Sequence, residues 1–330
     1  MVKLLVVAGA TGMQGSGVID ALATNPDWKI RGLTRSTNSD KAKGLSDRGI
    51  EMVSADMDDE DSLLNAFIGA NAIFAVTDFY EPFATGIGPE KAMQIEYERG
   101  LKLARAAAKT KTLEFYFWST LPAANDLTNG EVKVPHFDAK AAVDAYIKND
   151  IALNSKTIFL LTGFYASNFN YPPFTPVYSK PAAKYILALP ARSSSYLPSL
   201  GSVNNIGITV SGLLQLPYPK SASCPTGGRY VHVTTGKYQI QDYFSKWAMV
   251  AGKGKLQVLS VPFEHFEALH GVWGTELGLM VKFWEVAGPP RMWGTVGEGD
   301  IMVDSRDLDG VKENLVSAED VWSKVDWSQF

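Results

Sequence analysis

Through the first half of the chain, short apolar runs of strand length alternate with longer stretches of helical period. The runs Leu4–Ala8, Ile30–Thr34, Glu51–Ser54, Ala72–Val76, Leu113–Trp118 and Thr157–Leu161 predict strands. Between them, apolar positions recurring every three or four residues predict helices over Gln14–Thr24, Ser39–Arg48, Glu60–Ile68, Lys91–Lys109 and Phe137–Asn149. The second of these is entered through Ser36-Thr37-Asn38-Ser39-Asp40, a stretch rich in side chains that cap helix N-termini. Strands and helices alternating in this way predict an α/β fold: a doubly wound parallel sheet with helices on both faces. After about residue 165 the alternation ends. Prolines and aromatics gather at Tyr171–Pro176, Tyr196–Pro198 and Ala287–Trp293, and only helices over Tyr238–Ala251 and Phe263–Val281 and a strand over Tyr230–Thr234 stand out.

The first strand runs directly into Gly9-Ala10-Thr11-Gly12-Met13-Gln14-Gly15, and a helix pattern follows at once. The spacing is Gly-x-x-Gly-x-x-Gly. One glycine makes the tight turn, one lets backbone approach a pyrophosphate, and one lets helix and strand pack closely. The free N–H groups at the helix start then hold the phosphates at the positive end of the helix dipole. This predicts a Rossmann-type dinucleotide-binding domain over residues 1–165, with Gly9, Thr11, Gly12, Met13, Gln14 and Gly15 against the cofactor. Residues 166–330 are expected to form a smaller mixed α/β substrate-binding subdomain, interleaved with the first and leaning over the carboxyl ends of the sheet.

The end of the second strand indicates which dinucleotide. An NAD enzyme usually carries Asp or Glu there to hold the ribose hydroxyls. Here the strand ends Arg31-Gly32-Leu33-Thr34-Arg35-Ser36-Thr37, without a carboxylate. Arg35 suits a 2′-phosphate, with Ser36, Thr37 and Lys41 as further donors, so the expected cofactor is NADP(H). After the third strand, Asp56 either meets the adenine amine or caps the following helix.

Composition narrows the remaining possibilities. Of 330 residues, 46% are hydrophobic and 20% charged, the balance of a globular protein. The single cysteine, Cys224, excludes an intramolecular disulfide and a cysteine-based metal site, and the four histidines show no metal-ligand spacing. A net charge of −4 gives no footprint for nucleic acid, and no apolar run reaches the length of a membrane span. The chain begins directly in a strand, so a cytoplasmic location is expected.

Together with the glycine loop, Trp118-Ser119-Thr120, His136-Phe137-Asp138-Ala139-Lys140 and Gly163-Phe164-Tyr165-Ala166-Ser167-Asn168 resemble the NmrA-like proteins, atypical members of the short-chain dehydrogenase/reductase superfamily. The resemblance extends over most of the chain and weakens beyond about residue 285. Asn204-Asn205-Ile206-Gly207 departs from the Asp-Ile-Gly common at that point. The resemblance implies NADP(H) across the crevice of a Rossmann fold. It also implies one of two activities: redox sensing without turnover, with control of a partner protein, or reduction of plant and fungal metabolites.

A typical short-chain dehydrogenase uses Ser, Tyr and Lys, the tyrosine four residues before the lysine. By that pattern Ser119 matches the serine and Lys140 the lysine, while His136 stands in the tyrosine's position. His136 and Lys140 share a helix face one turn apart, and Pro135 pre-organises the first turn. An imidazole transfers protons near neutral pH, so acid–base chemistry survives the exchange. Lys140, His136 and Ser119 are therefore the candidate catalytic residues, Lys140 also holding the nicotinamide ribose. His136 is equally open to a structural role, and Asp138 to capping the helix. Strand ends border ligands in open α/β sheets. This adds Thr77, Phe79 and Tyr80 after the fourth strand and Gly163, Phe164 and Tyr165 after the sixth. The resemblance puts Phe164 and Tyr165 beside the nicotinamide. Phe79, Tyr80, Tyr165 and Phe169 are the expected substrate contacts.

Trp247, Trp273, Trp284, Trp293, Phe174, Tyr178 and Tyr196 in the second half either form its core or line a pocket for a bulky, apolar, aromatic substrate. The reading at this stage is an NADP(H)-dependent oxidoreductase acting on a carbonyl, imine or conjugated substrate, or catalysing a redox-neutral isomerisation or cyclisation. Its alternative is a catalytically silent NADP(H) sensor that regulates a partner protein.

Overall fold

The computed structural model describes residues 2–215, 227–292 and 299–328; Cys224 and Trp293 lie outside them. Six strands arise where the apolar runs predict them: β1 (Lys3–Val7), β2 (Trp28–Thr34), β3 (Glu51–Ser54), β4 (Ala72–Ala75), β5 (Phe115–Thr120) and β6 (Thr157–Thr162). The helices on that half are α1 (Met13–Leu22), α2 (Asp40–Asp47), α3 (Glu60–Ala66), the short α4 (Tyr80–Phe83), α5 (Pro89–Ala108), α6 (Ala124–Leu127), α7 (Pro135–Asn149) and α8 (Ile151–Asn154). The second half adds strands β7 (Phe164–Tyr165), β8 (Val177–Ser179), β9 (Lys184–Leu189), β10 (Tyr196–Gly201), β11 (Arg229–Val233), β12 (Gly236–Gln239), β13 (Leu256–Ser260) and β14 (Ile301–Asp304). Its helices are α9 (Asn205–Gln215), α10 (Ile240–Val250), α11 (Phe263–His270), α12 (Val272–Arg291) and α13 (Ala318–Trp322).

Among the described residues, eight strands form one parallel sheet in the order β14-β11-β6-β5-β4-β1-β2-β3. Period-two alternation decides its two faces. Val6 and Ala8 pack toward α3, α5 and α7 with Phe67, Leu103, Trp118, Val143 and Phe159. Leu5 and Val7 pack the other way, against Val18 and Ile19 of α1 and Ile206 and Val210 of α9. The runs are apolar throughout because both faces are covered. The doubly wound fold is thus the one the pattern predicts, widened by β11 and β14 from the second half of the chain.

Glycine sets how closely α9 approaches α1. A Cβ on Gly207 would lie 2.0 Å from the Gly17 carbonyl oxygen and 2.9 Å from the Val18 Cα. On the opposite face α7 is fastened by Asp144, which accepts hydrogen bonds from Trp118 Nε1 at 2.8 Å, Thr120 Oγ1 at 2.7 Å and the Tyr230 hydroxyl at 3.2 Å. The remaining strands make two three-stranded sheets, β12-β10-β7 and β13-β9-β8. They enclose an aromatic core of Phe169, Tyr243, Phe244, Trp247, Trp322 and Trp327. Among the described residues no helix is long and apolar enough to cross a membrane.

Two outcomes follow. Gly207→Ala forces backbone apart and is expected to cost about 1–3 kcal/mol in denaturant unfolding; an unchanged midpoint would contradict the close approach. Burial pushes the Asp144 carboxyl up to about 8. A raised folded-state value means the fold favours the protonated acid. Its contribution is complete below the ordinary carboxylate range and is lost as pH rises through about 8. Melting curves of the wild type should therefore fall relative to those of Asp144→Asn across that interval; parallel curves would refute the assignment.

Candidate functional site

The order of the sheet reverses between β1 and β4, which leaves a crevice beyond their carboxyl ends. The loop after β1 enters it with Gly9 at φ +71°, a left-handed turn closed by the Gly12 N–H donating to the Gly9 carbonyl at 2.9 Å. A Cβ on Gly15 would stand 2.2 Å from that same carbonyl, so this position admits only hydrogen. No side chain caps α1 at Gly12, which leaves its first-turn N–H groups for an anionic ligand. From this loop a cavity of about 640 Å³ extends in two directions.

One arm lies beyond β2 and is lined by Arg35, Ser36, Ser39, Asp56, Glu81 and Arg99. Arg35, whose side chain is 62% exposed, pairs with Glu81 Oε1. The other Glu81 oxygen accepts from Arg99 Nη1 at 2.9 Å. Arg99 in turn grips both oxygens of Asp58, at 3.0 and 2.7 Å. These hydrogen bonds hold the Asp58 carboxyl below its ordinary value. Burial alone would raise Glu81, yet its bonds to the two arginines keep it low.

The other arm is drier. Lys140, in the second turn of α7, is buried and makes three contacts: with Glu96 Oε1 at 2.7 Å, the Thr77 carbonyl at 2.9 Å and Thr77 Oγ1 at 2.8 Å. Two of these are hydrogen bonds, to the Thr77 oxygens, and the third is the ion pair with Glu96. Glu96 is wholly buried, and its second oxygen has no partner among the described residues. One turn before Lys140, His136 Nδ1 meets Glu276 Oε1, which also accepts from the His136 backbone N–H at 3.2 Å. This leaves Nε2 as the ring nitrogen available to a ligand. Tyr80 packs 5.4 Å from the His136 ring and stacks on Trp273 at 5.8 Å. Burial, then Glu276 and Glu96, keep the Tyr80 phenol well above its ordinary value. The walls beyond are Phe164, Tyr171, Phe174, Leu277, Met280, Trp284 and Met292. Across the middle, Gln14 Nε2 donates to the Tyr165 hydroxyl at 2.7 Å, while Gln14 Oε1 is buried without a partner among the described residues. Burial pushes the Tyr165 phenol up to about 12.

The structure gathers Gly9, Thr11, Gly12, Met13, Gln14, Gly15, Arg35, Ser36, Asp56, Thr77, Phe79, Tyr80, His136, Lys140, Gly163, Phe164 and Tyr165 around this one cavity. Two candidates stand elsewhere. Ser119 is buried on β5, and strand alternation turns it to the same face as Phe117, away from the cavity wall. Phe169 is fully buried against Trp247 and Trp322. Of the second-half aromatics, Trp273, Trp284 and Phe174 reach the cavity, Trp247 is core, and Tyr178 is exposed. Asp138 accepts from the backbone N–H groups of Val134 and Asn125, so it caps α7. Asp59, not Asp56, caps α3. Among the described residues no cluster of His, Cys, Asp or Glu could hold a metal ion.

Sequence reading missed Glu96, Arg99 and Glu276, and it placed Glu81 only by its segment after the fourth strand, without its pairing to Arg35. For Glu96 a signal was present. It occupies the buried stripe of α5 with Ala92, Gly100, Leu103 and Ala107, where a carboxylate needs a buried partner. Glu276 lies among Trp273, Leu277 and Met280 in the same way.

A family model described as NmrA-like family matches residues 1–290. An NmrA-like family domain-containing oxidoreductase of Aspergillus hancockii is 31% identical over 53% of this chain, a match that spans 50% of that relative. A second such oxidoreductase, from Aspergillus flavus, is 26% identical over 87% of this chain and 84% of its own length. Among solved structures, NmrA, a negative transcriptional regulator, in complex with NADP superposes at TM-score 0.70 with 16% identity, covering 98% of this chain and 95% of that one. Triphenylmethane reductase of Citrobacter sp., complexed with NADP(H), gives 0.67 with 17% identity over 98% and 99%.

Lys140 and Glu96 depend on each other. Lys140→Met alone strands a buried carboxylate and is expected to cost about 3–5 kcal/mol in urea unfolding. Adding Glu96→Leu should recover most of that loss. A single variant as stable as the wild type would contradict the pairing.

Proposed function

The chain belongs to the NmrA-like family, and from that premise we propose that it is an NADP(H)-dependent oxidoreductase. Its substrate is a bulky, apolar molecule of the specialised-metabolite kind carrying a carbonyl, imine or conjugated alkene. The observation that carries this reading is the continuity of one cavity, from the glycine loop and Arg35 to an aromatic-walled space beside His136. The residues fit the cofactor. Gly15 lets α1 close onto the Gly9 turn with no side chain capping its first-turn N–H groups, and Gln14 Oε1 is a buried acceptor with no partner among the described residues. When bound, the nicotinamide supplies or accepts the hydride.

The chain's own groups do the rest. The N–H groups opening α1 hold the pyrophosphate, and Arg35 pairs the 2′-phosphate. Glu276 engages Nδ1, so His136 Nε2 faces the substrate and gives or takes the proton that accompanies hydride transfer. Tyr80, Phe164, Trp273 and Trp284 exclude water and orient a flat apolar substrate. Lys140, hydrogen-bonded to Thr77 and paired with Glu96, sets the charge and the position of this face rather than donating a proton. Ser119 takes no part. The same proton relay serves a redox-neutral isomerisation or cyclisation.

The second reading, a catalytically silent NADP(H) sensor that regulates a partner protein, is favoured by the internal pairing of Lys140 and by the absence of the usual tyrosine at position 136. Two measurements separate them. NADPH binding by calorimetry should weaken at least tenfold in Arg35→Ala; equal binding by wild type and variant would overturn the phosphate assignment. NADPH consumption with a panel of aromatic ketones, imines, quinones and enones should then fall about 10²–10⁴-fold in kcat/KM for His136→Ala, with NADPH affinity kept. Tight binding with no turnover of any panel member would favour the sensor.

A further inference from the structure

Arg35 stands at the end of the strand where a dinucleotide's adenosine ribose is read, yet its guanidinium is already paired with a carboxylate. That carboxylate comes from Glu81, distant in sequence but adjacent in space, on the short helix α4. Its two oxygens are divided between two arginines: Oε1 faces Arg35 and Oε2 accepts from Arg99. The arginines differ in their freedom. Arg99 is held at 13% side-chain exposure by Asp58 and Glu81, whereas Arg35 is 62% exposed with Glu81 as its ion-pair partner. All three groups line the same arm of the cavity.

Resting on the NADP(H) reading above, we propose that Glu81 is a specificity-determining residue. It is the resident anion of the 2′-phosphate subsite and gives up Arg35 to the phosphate when NADP(H) binds. The exchange strands no charge. Arg35 turns from one anion to another, and Glu81 keeps its bond to Arg99, which Asp58 anchors from the far side. NAD(H), without the phosphate, does not compete for Arg35. Glu81 therefore lowers the preference for the phosphorylated cofactor, and its charge sets how large that preference is. The neighbouring residue, Tyr80, packs on His136 and Trp273, so the exchange also acts on the wall of the substrate pocket.

The test uses the whole chain, with NADPH and NADH, and with adenosine 2′,5′-bisphosphate and 5′-AMP as probes of the subsite alone. Glu81→Gln keeps the shape of the side chain and removes its charge. NADPH and the bisphosphate should bind about fivefold more tightly, the scale of one partly exposed ion pair, while NADH and 5′-AMP stay within about twofold. Unchanged or weaker binding of the bisphosphate, or equal tightening of all four, would overturn the proposal. Glu81→Ser provides a second neutral variant and should shift the same way. The two readings fail differently. If the wild type binds NADPH and Arg35→Ala weakens it, but neither Glu81 variant tightens it, only the role of Glu81 is lost. If the wild type binds no NADPH, the cofactor reading goes with it.

Discussion

Two neighbouring parallel strands, β1 and β4, have connections that lead away in opposite directions, one toward β2 and β3 and the other toward β5 and β6. No helix can cover the gap between those connections, so a crevice opens at the carboxyl ends of the strands whatever the side chains are. The rest of the site is fitted to that gap. The glycine loop fills its floor with backbone, because a Cβ at Gly15 would collide with the Gly9 carbonyl. The strand ends of β2, β4 and β6 deliver Arg35, Thr77 and Gly163 to its rim, and the second half of the chain supplies a roof.

Charge is handled most tightly where the first half of the chain meets this roof. Near the aromatic wall, a lysine, a histidine and two glutamates are all nearly removed from water. Isolated, each would cost several kcal/mol to bury as an ion. Paired as Lys140–Glu96 and His136–Glu276, they satisfy one another, while the carboxylate oxygens Glu96 Oε2 and Glu276 Oε2 have no partner among the described residues. Both pairs cross between elements: α5 to α7 in one case, α7 to α12 in the other. The first fixes the face of α7 against α5, and the second ties α12 to that same face. His136 is therefore accompanied by a carboxylate that holds its ring through Nδ1. That orientation of the imidazole, added to the continuity of the cavity, favours the proposed chemistry over silent binding.

Polarity runs along the cavity. At the far arm, Arg35, Glu81, Arg99 and Asp58 form a chain of alternating charge near solvent, where pairs are readily exchanged and salt screens them. At the near arm the pairs are buried and fixed. One end suits recognition of a charged group that must come and go, the other a reaction that needs a dry, constant environment. α4 touches both, with Glu81 at one arm and Tyr80 at the other.

Much of this was legible in residue order. Apolar runs and helical periods determined the six strands and the helices between them, because a sheet buried on both faces needs continuous apolar strands and allows little else. The glycine spacing determined the loop, since its turn and close approaches are local backbone geometry. The i, i+4 relation of His136 and Lys140 determined that they share a face. What the order could not carry was partnership across the chain. The end of β2 read as lacking an acid, and the fold brings Glu81 there from after β4. Ser119 and Phe169 read as site residues, and strand alternation and aromatic packing turn them elsewhere. Glu276 reaches His136 across 140 positions. Local periodicity is written in neighbouring residues, but the partner of a buried charge is chosen by which elements the packed sheet brings together, and only the tertiary structure decides that.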